Sequence, residues 1–303
     1  MNNRFVGLAI VLAVMVASPL AAGQQAGTAD TVGGCPAEPL AFHTCALAKA
    51  KTFNPPRTSS GKPDLQGYYR NRLAQAFSVE GVSGSEPLAG DLLQPWALAP
   101  PMIVDPTDRK IPYQPWAASI GRIGVNYNEY LDPRTACESG GVPRLALQGP
   151  NQILQPSTDD YVVWLFEDHH IPRVIAMNGP PPLGDAIKVT NGDSRGHWEG
   201  NTLVIDVTSL NGYNWFDDSG NFYTDTAHLV ERLTLIDPDT IHYQVTVEDP
   251  KTYTRPWTLV WALVRQKQPG FELLEEACRE GERDVQHYRG EYKYYFGNSW
   301  RGR

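Results

Sequence analysis

The most concentrated group of ionisable side chains is the string EDHHIPR at residues 167–173, which follows an apolar run. A His beside a carboxylate is a general acid or base near neutral pH, so this composition suits proton transfer. If the preceding strand continues, Glu167, His169 and Arg173 share one face. Asp168 and His170 then lie on the other face. We take Glu167, His170 and Arg173 as candidate catalytic residues, with a solvated strand end before a proline turn as the alternative.

A second group of ionisable side chains begins a predicted strand at His228. Alternation puts Glu231 between two leucines on the inward face, and a buried carboxylate must find a partner or take up a proton. Arg173 or Arg232 is the available partner. Glu231 and His228 are therefore candidate catalytic residues, and a structural ion pair is the alternative for Glu231.

These candidates are predicted to form one site at one end of the sheet, close to Trp215 or Phe216. The five predicted catalytic residues are His170, His228, Glu167, Glu231 and Arg173.

Two polar and aromatic segments are candidates for binding a ligand. Residues 193–197 (DSRGH) are predicted to form a flexible loop over a pocket, with Asp193 and Arg195 as contacts. The segment YNWFDD contributes Tyr213, Trp215 and Phe216, either as a lid over an apolar ligand or as a plug in the end of the fold.

The sequence indicates no metal or cofactor. No HxH or HExxH spacing joins His170, His197 and His228, and no nucleotide loop or haem motif is present. A Ser/His/Asp triad is not supported either, because the GxSxG elbow is missing and triad members must converge in space.

The elements that position these residues are predicted to be β-strands. From residue 149 onward, apolar runs of six to ten residues alternate with turn signals, with no helical period between them. This pattern predicts an all-β fold, either an antiparallel meander barrel of lipocalin-like or calycin-like type or a two-sheet sandwich. The last predicted strand covers residues 271–278. The predicted core comprises Trp198, Leu203, Ile205, Leu229, Leu233, Val245 and Leu259.

Composition changes along the chain predict its organisation. Residues 1–23 have the layout of a cleaved signal peptide, which predicts a periplasmic or secreted protein. Residues 24–66 are predicted to be a Pro-rich linker with a short helix over 45–51, and residues 67–150 an irregular wrap packed on the barrel. The barrel domain then covers 151–290, and 291–303 is a basic aromatic tail.

Four cysteines follow the predicted signal, which indicates two disulfides in an exported protein. Three pairings are possible. We prefer Cys35 with Cys45 and Cys137 with Cys278, because the first two lie in the Pro-rich segment and the others flank the strand-rich region. Free buried thiols are the main alternative.

The 303-residue chain is acidic, with a net charge of −8. This charge argues against nucleic acid or anionic membrane as partners. No window after the signal is apolar enough to span a bilayer.

Several motifs resemble those of a large family of exported proteins common in acidobacteria and some proteobacteria. In chain order they read NPPRTSSGKPDLQG, VDPTDRKIP, GDSRGHWEGNTLVIDV, HLVERLTLID, VEDPKTYTRPW and LEEACREGE. The resemblance covers residues 54–281 and implies export and a shared fold, but no particular reaction. This chain departs from the family pattern at residues 178–182, where NGPPP replaces DGRPH, and at His197 and Asn201.

Besides an interaction module that uses the Pro-rich wrap and the aromatic tail as its contact surface, two functions remain open from the sequence. One is an exported, cofactor-independent enzyme that acts on a small apolar or aromatic molecule as a hydrolase, lyase or isomerase. The alternative is a barrel that binds such a molecule without turning it over. A cavity of about 300 Å³ or more, with a His and a carboxylate in reach of each other, favours the enzyme.

Overall fold

The computed structural model describes residues 30–74, 76–81, 99–121, 132–179, 181–184, 186–276 and 278. The predicted signal peptide and the aromatic tail lie outside these residues. The described residues from Thr31 onward belong to one compact unit.

Two short strands and a helix precede the main sheet. Strands β1 (Thr31–Val32) and β2 (Cys35–Pro36) form a small hairpin, and helix α1 (Pro39–Ala50) follows. The helix begins at Pro39 because proline suits the first helical turn and the Glu38 carboxylate accepts from Ala41 N. It is therefore longer than the sequence predicts.

Nine strands form a closed barrel, and a tenth short strand pairs with the beginning of one of them. The barrel strands are β3 (Gly67–Arg72), β5 (Pro150–Leu154), β6 (Tyr161–Phe166), β7 (Pro172–Ala176), β8 (Asp193–Glu199), β9 (Thr202–Thr208), β10 (His228–Asp237), β11 (Thr240–Glu248) and β12 (Trp257–Arg265). Strand β4 (Ile103–Asp105) pairs with β12, and a short helix α2 (Pro115–Gly121) follows β4. The all-β prediction is confirmed, in its barrel form.

Eight of the neighbouring strand pairs in the barrel are antiparallel, and β7 and β8 are parallel. An odd number of strands cannot alternate in direction all the way around a ring, so one parallel pair is required. At this pair only Ala176 and Arg195 are in register. Side chains close the seam instead, because Gly196 lets Ile175 and Met177 pack against the backbone of β8.

The barrel differs from the predicted arrangement at two places. Gly67–Arg72, which the sequence analysis assigns to an irregular wrap, is a barrel strand between β12 and β5. Residues 271–276 and 278 are not in a strand, although the sequence predicts one there. This segment runs over the end of β6 instead.

The core follows the alternation of the strands. All the predicted core residues are buried except Trp198, which is half-buried. Large aromatic side chains fill the barrel interior, and Tyr243 packs edge-on against both Trp164 and Trp261. The barrel is therefore a packed core in this region.

The β8–β9 hairpin has a tight turn, and its first strand corrects a loop prediction. Glu199 pairs with Thr202 across the two-residue turn Gly200–Asn201, and Gly200 has a φ of +58°. Glycine takes this left-handed conformation without steric cost. Asp193 and its neighbours are not a flexible loop, because they form the first half of β8.

Both predicted disulfides are present. Cys35–Cys45 ties β2 to α1, and Cys137–Cys278 joins residues 141 positions apart. Among the described residues, no helix is both long and apolar enough to cross a membrane.

Candidate functional site

Arg173 and Glu231 meet inside the barrel, as the sequence suggests. Arg173 Nη1 donates to Glu231 Oε1 at 3.0 Å and Nη2 donates to Oε2, while Arg173 Nε donates to Ser194 Oγ at 2.9 Å. Tyr243 also donates to Glu231. Burial alone would lower the pKa of Arg173, but the Glu231 carboxylate raises it above its usual value, so the guanidinium stays charged.

This buried group has the properties of a structural ion pair. Glu231 and Tyr243 are fully buried and Arg173 nearly so, and none of them lines the cleft described below. A substrate would have to displace packed core to reach them. The contacts therefore favour a structural ion pair over a catalytic role for Glu231.

His228 lies at the same barrel end as Glu167, because β10 begins where β6 ends, but it faces outward. Its Nε2 is 3.1 Å from Asp206 Oδ1 and its Nδ1 is 3.6 Å from Glu248 Oε2. Glu231, three residues later on the same strand, faces inward. The structure therefore does not bring His228 and Glu231 into one cavity.

The predicted ligand-binding residues serve the packing of the fold. Phe216 is in the main core, edge-on against Tyr223 and Trp257, and Trp215 packs with Phe222. Tyr213 packs against the cluster around Trp215. Their burial favours the plug over the lid for Trp215 and Phe216.

Asp193 and Arg195 bind each other on β8. Arg195 Nη2 lies 3.0 Å from Asp193 Oδ2, and the same carboxylate accepts from Leu183 N at 2.9 Å. They hold the 181–184 segment against the barrel, and neither of them lines the cleft.

A cleft of about 680 Å³ opens at the barrel end where β6 finishes and β7 and β8 begin. One wall carries a polar contact, in which Ser139 Oγ donates to Asn191 Oδ1 at 2.9 Å. The other wall comes from the β6–β7 connection and the segment before Cys278. The lining residues are Cys137, Glu138, Ser139, His169, Ile171, Thr190, Asn191, Glu275, Glu276 and Cys278.

Among the ionisable residues that line the cleft, His169 differs in its burial and its lack of hydrogen bonds. Its side chain is only 8% exposed, and neither ring nitrogen makes a hydrogen bond within the described structure. Nδ1 lies 3.2 Å from Asp168 Oδ1 and 3.6 Å from Glu276 Oε2. A buried polar group without a partner costs free energy, and such groups are concentrated at functional sites.

Asp168 is ionised beside this imidazole. Burial alone would raise the pKa of its carboxyl, but the adjacent His169 ring and the Arg134 guanidinium outweigh burial and hold the pKa below its usual range. Arg134 Nη2 lies 2.6 Å from Asp168 Oδ1. Asp168 Oδ2 is buried and has no hydrogen-bond partner.

Glu167 and His170 hold the cleft wall. Glu167 Oε2 accepts from Leu274 N at 2.7 Å, and His170 Nε2 accepts from Glu276 N at 2.6 Å. Glu276 in turn accepts from the backbone N–H of His169. The two predicted catalytic residues thus bring Glu276 to His169, with the Cys137–Cys278 disulfide two residues further along.

The conformation of the β6–β7 connection explains why the predicted strand faces are wrong here. The strand ends at Phe166, and both His169 (φ 57°) and His170 (φ 50°) are left-handed. Left-handed backbone is unusual outside glycine and marks a site that the surrounding structure holds in place. Because of this turn, His169 enters the cleft next to Asp168, which strand alternation would have placed on the opposite face.

Asp168, His169 and Glu276 are also the residues with the geometry to hold a metal ion. Within the described part of the chain, their ligand atoms lie within 4.8 Å of one another.

No model of a known protein family matches this chain, and no curated protein is detectably similar to it. The family resemblance drawn from the motifs stays a prediction.

Proposed function

We propose that this protein is an exported enzyme that acts on a small molecule by acid–base chemistry in the cleft, with His169 as the proton-transferring group. One observation carries the proposal. A buried imidazole with no hydrogen-bond partner lines a cleft of about 680 Å³, beside an ionised carboxylate 3.2 Å away. A cleft of this volume, with a His and a carboxylate in reach of each other, favours an enzyme over a protein that binds a ligand without turnover.

The chemistry follows from the roles that these groups can take. Neutral His169 accepts a proton from a substrate or a water molecule at one ring nitrogen. Asp168, at the other nitrogen, stabilises the imidazolium that forms. A small rotation of the ring would align Nδ1–H with Asp168 Oδ1, and catalytic hydrogen bonds are often misaligned before substrate binds. Glu167 and His170 are positioning residues in this scheme.

The lining favours a polar substrate. Three glutamates, Glu138, Glu275 and Glu276, line the cleft, and the described lining residues include no Lys or Arg, so an anionic substrate is disfavoured. Ile171 and the disulfide supply the apolar surface. The apolar or aromatic substrate that the sequence suggests therefore has less support than a polar substrate that is uncharged or positively charged.

Export has independent support from the two disulfides, which persist in oxidising compartments such as the periplasm or the extracellular medium. A barrel that binds a ligand in its interior has weaker support, because aromatic side chains and the Arg173–Glu231 pair occupy that space.

The test is a turnover screen of the mature protein on neutral and amine-bearing esters, enones and aldehydes. His169→Ala should abolish any turnover found, and Asp168→Asn should lower kcat by about 10²-fold or more, since proton transfer typically contributes that much. His197→Ala is the matched control, because His197 is an exposed imidazole that also has a carboxylate partner, Glu199. Turnover that survives His169→Ala would refute the proposal.

A further inference from the structure

The three donor groups around His169 have the spacing of metal ligands. His169 Nδ1 is 3.2 Å from Asp168 Oδ1 and 3.6 Å from Glu276 Oε2. Zinc bonds to nitrogen and carboxylate oxygen are about 2.0–2.1 Å long, which makes neighbouring ligands of a tetrahedral site about 3.4 Å apart. The two measured separations lie on either side of that value.

The imidazole supplies a second, independent reason to expect a ligand. Its side chain is more than nine-tenths buried, it lines the cleft, and both of its nitrogens lack hydrogen-bond partners. A metal–nitrogen bond would satisfy one of these nitrogens. Asp168 Oδ2, which is buried and also unpartnered, is a further available donor.

The surroundings hold the donors in place, as outer contacts do around metal sites. The backbone N–H of His169 fixes the Glu276 carboxylate, and Arg134 fixes the Asp168 carboxylate at 2.6 Å. The Arg134 charge also weakens cation binding, because it lies against a ligand oxygen. Two carboxylates and a neutral imidazole nevertheless give the site the charge to neutralise a divalent ion.

We propose that Asp168, His169 and Glu276 form a binding site for one divalent transition metal ion, with Zn²⁺ as the best fit to one nitrogen and two oxygen ligands. A consequence rests on the proposed function: an imidazole that binds a metal through Nδ1 carries its proton on Nε2. Nε2 is the nitrogen that accepts the proton in that function, so Zn²⁺ inhibits acid–base turnover.

The experiment is a titration of the EDTA-treated, disulfide-intact protein with Co²⁺ and then with Zn²⁺. Co²⁺ should give the intense visible bands of four-coordinate cobalt at one ion per chain, and Zn²⁺ should displace it. Calorimetry with Zn²⁺ gives the affinity. His169→Ala and Glu276→Gln should each weaken Zn²⁺ binding at least tenfold, since loss of an outer contact alone typically costs that much.

Two controls separate this site from other sources of binding. Glu275→Gln removes a charge from the same cleft without removing a proposed ligand, so its affinity should match that of the wild type. The double variant His197→Ala/His228→Ala removes the exposed imidazoles that flank Asp206 on the outer surface of the barrel, and it should also bind normally. Glu276→Gln keeps the acceptor for the His169 N–H, which guards against a folding defect.

The outcomes are distinct. Binding that is absent, unchanged in Glu276→Gln, or lost in the outer-surface double variant would overturn the metal site. Turnover that depends on His169 and is insensitive to Zn²⁺ would support the proposed function and overturn the metal site. Stoichiometric binding at these three residues without turnover on any substrate would support the metal site and count against the proposed function.

Discussion

Replacing Glu231 by Gln removes one charge from an ion pair that water does not reach. Glu231 is 0% exposed and Arg173 is 4% exposed, and the carboxylate accepts from Arg173 twice and from Tyr243 once. Gln keeps one acceptor oxygen but puts an amide donor where the guanidinium donates. Breaking a buried pair by removing one partner costs about 3–5 kcal/mol, because a charge stays buried without compensation.

The assay is urea unfolding followed by circular dichroism, with the midpoint and slope fitted separately. We expect the free energy of unfolding to fall by about 3–5 kcal/mol. The melting temperature should fall by on the order of 10 °C, given about 2–4 °C per kcal/mol for a domain approaching this size. Glu199→Gln is the control, because Glu199 is exposed in its pair with Arg232, and we expect no measurable change there.

A triple variant tests whether the uncompensated charge is the cause. Arg173→Met/Glu231→Leu/Tyr243→Phe removes the charges and the hydroxyl together, and apolar replacements of buried ion pairs are often neutral or stabilising. It should recover most of the stability lost in Glu231→Gln. A free energy of unfolding for Glu231→Gln within about 1 kcal/mol of the wild-type value would contradict this explanation, because breaking a buried pair should cost more. A triple variant no more stable than Glu231→Gln would also contradict it.

Three further outcomes follow from buried groups and one turn. Burial raises the pKa of Asp217 to about 7, so the folded protein keeps a proton that the unfolded chain releases above about pH 4. The free energy of unfolding should therefore fall by up to about 1.4 kcal/mol per pH unit as the pH rises from 4 to 7. Urea titrations of Asp217→Asn should lack this component. Burial lowers the pKa of His242 to about 3, so the folded protein keeps this imidazole neutral where the unfolded chain takes up a proton. The free energy of unfolding should therefore fall as the pH drops below about 6.5. His242→Phe should flatten this trend in acid-induced unfolding. Gly200→Ala should cost about 1 kcal/mol through its φ of +58° alone, since a Cβ there meets no atom within 4 Å. Gly184→Ala, equally open but without positive φ, should leave the urea midpoint unchanged.

Local alternation in the sequence predicts the interior of the barrel well. The burial of Glu231 follows from its place between two leucines of one strand, and a pairing with Arg173 or Arg232 follows from the cost of an unpaired buried charge. Both are confirmed by the contacts. The period-2 pattern is a local property, so it can be read wherever a strand continues.

The cleft could not be predicted in the same way. His169 belongs to a string that contains the predicted catalytic residues, but its orientation depends on left-handed backbone at His169 and His170. Histidine is enriched in that conformation but adopts it only in a minority of cases, so its presence does not predict the turn. Glu276 reaches His169 from 107 positions away, through contacts of Glu167 and His170 with the backbone. Strand β3 is not predicted, because Tyr69 is the one buried residue of GYYRNR and the segment therefore shows no apolar alternation.

The parallel seam of the barrel has a thermal consequence. Separating β10 from β11 breaks nine paired positions, whereas separating β7 from β8 breaks one. In place of a hydrogen-bonded ladder, the seam is closed by one buried side-chain hydrogen bond, from Arg173 Nε to Ser194 Oγ, and by the apolar contact of Ile175 and Met177 with Gly196. Apolar packing weakens on cooling. The wall of this barrel should therefore open first at the seam when the protein is chilled.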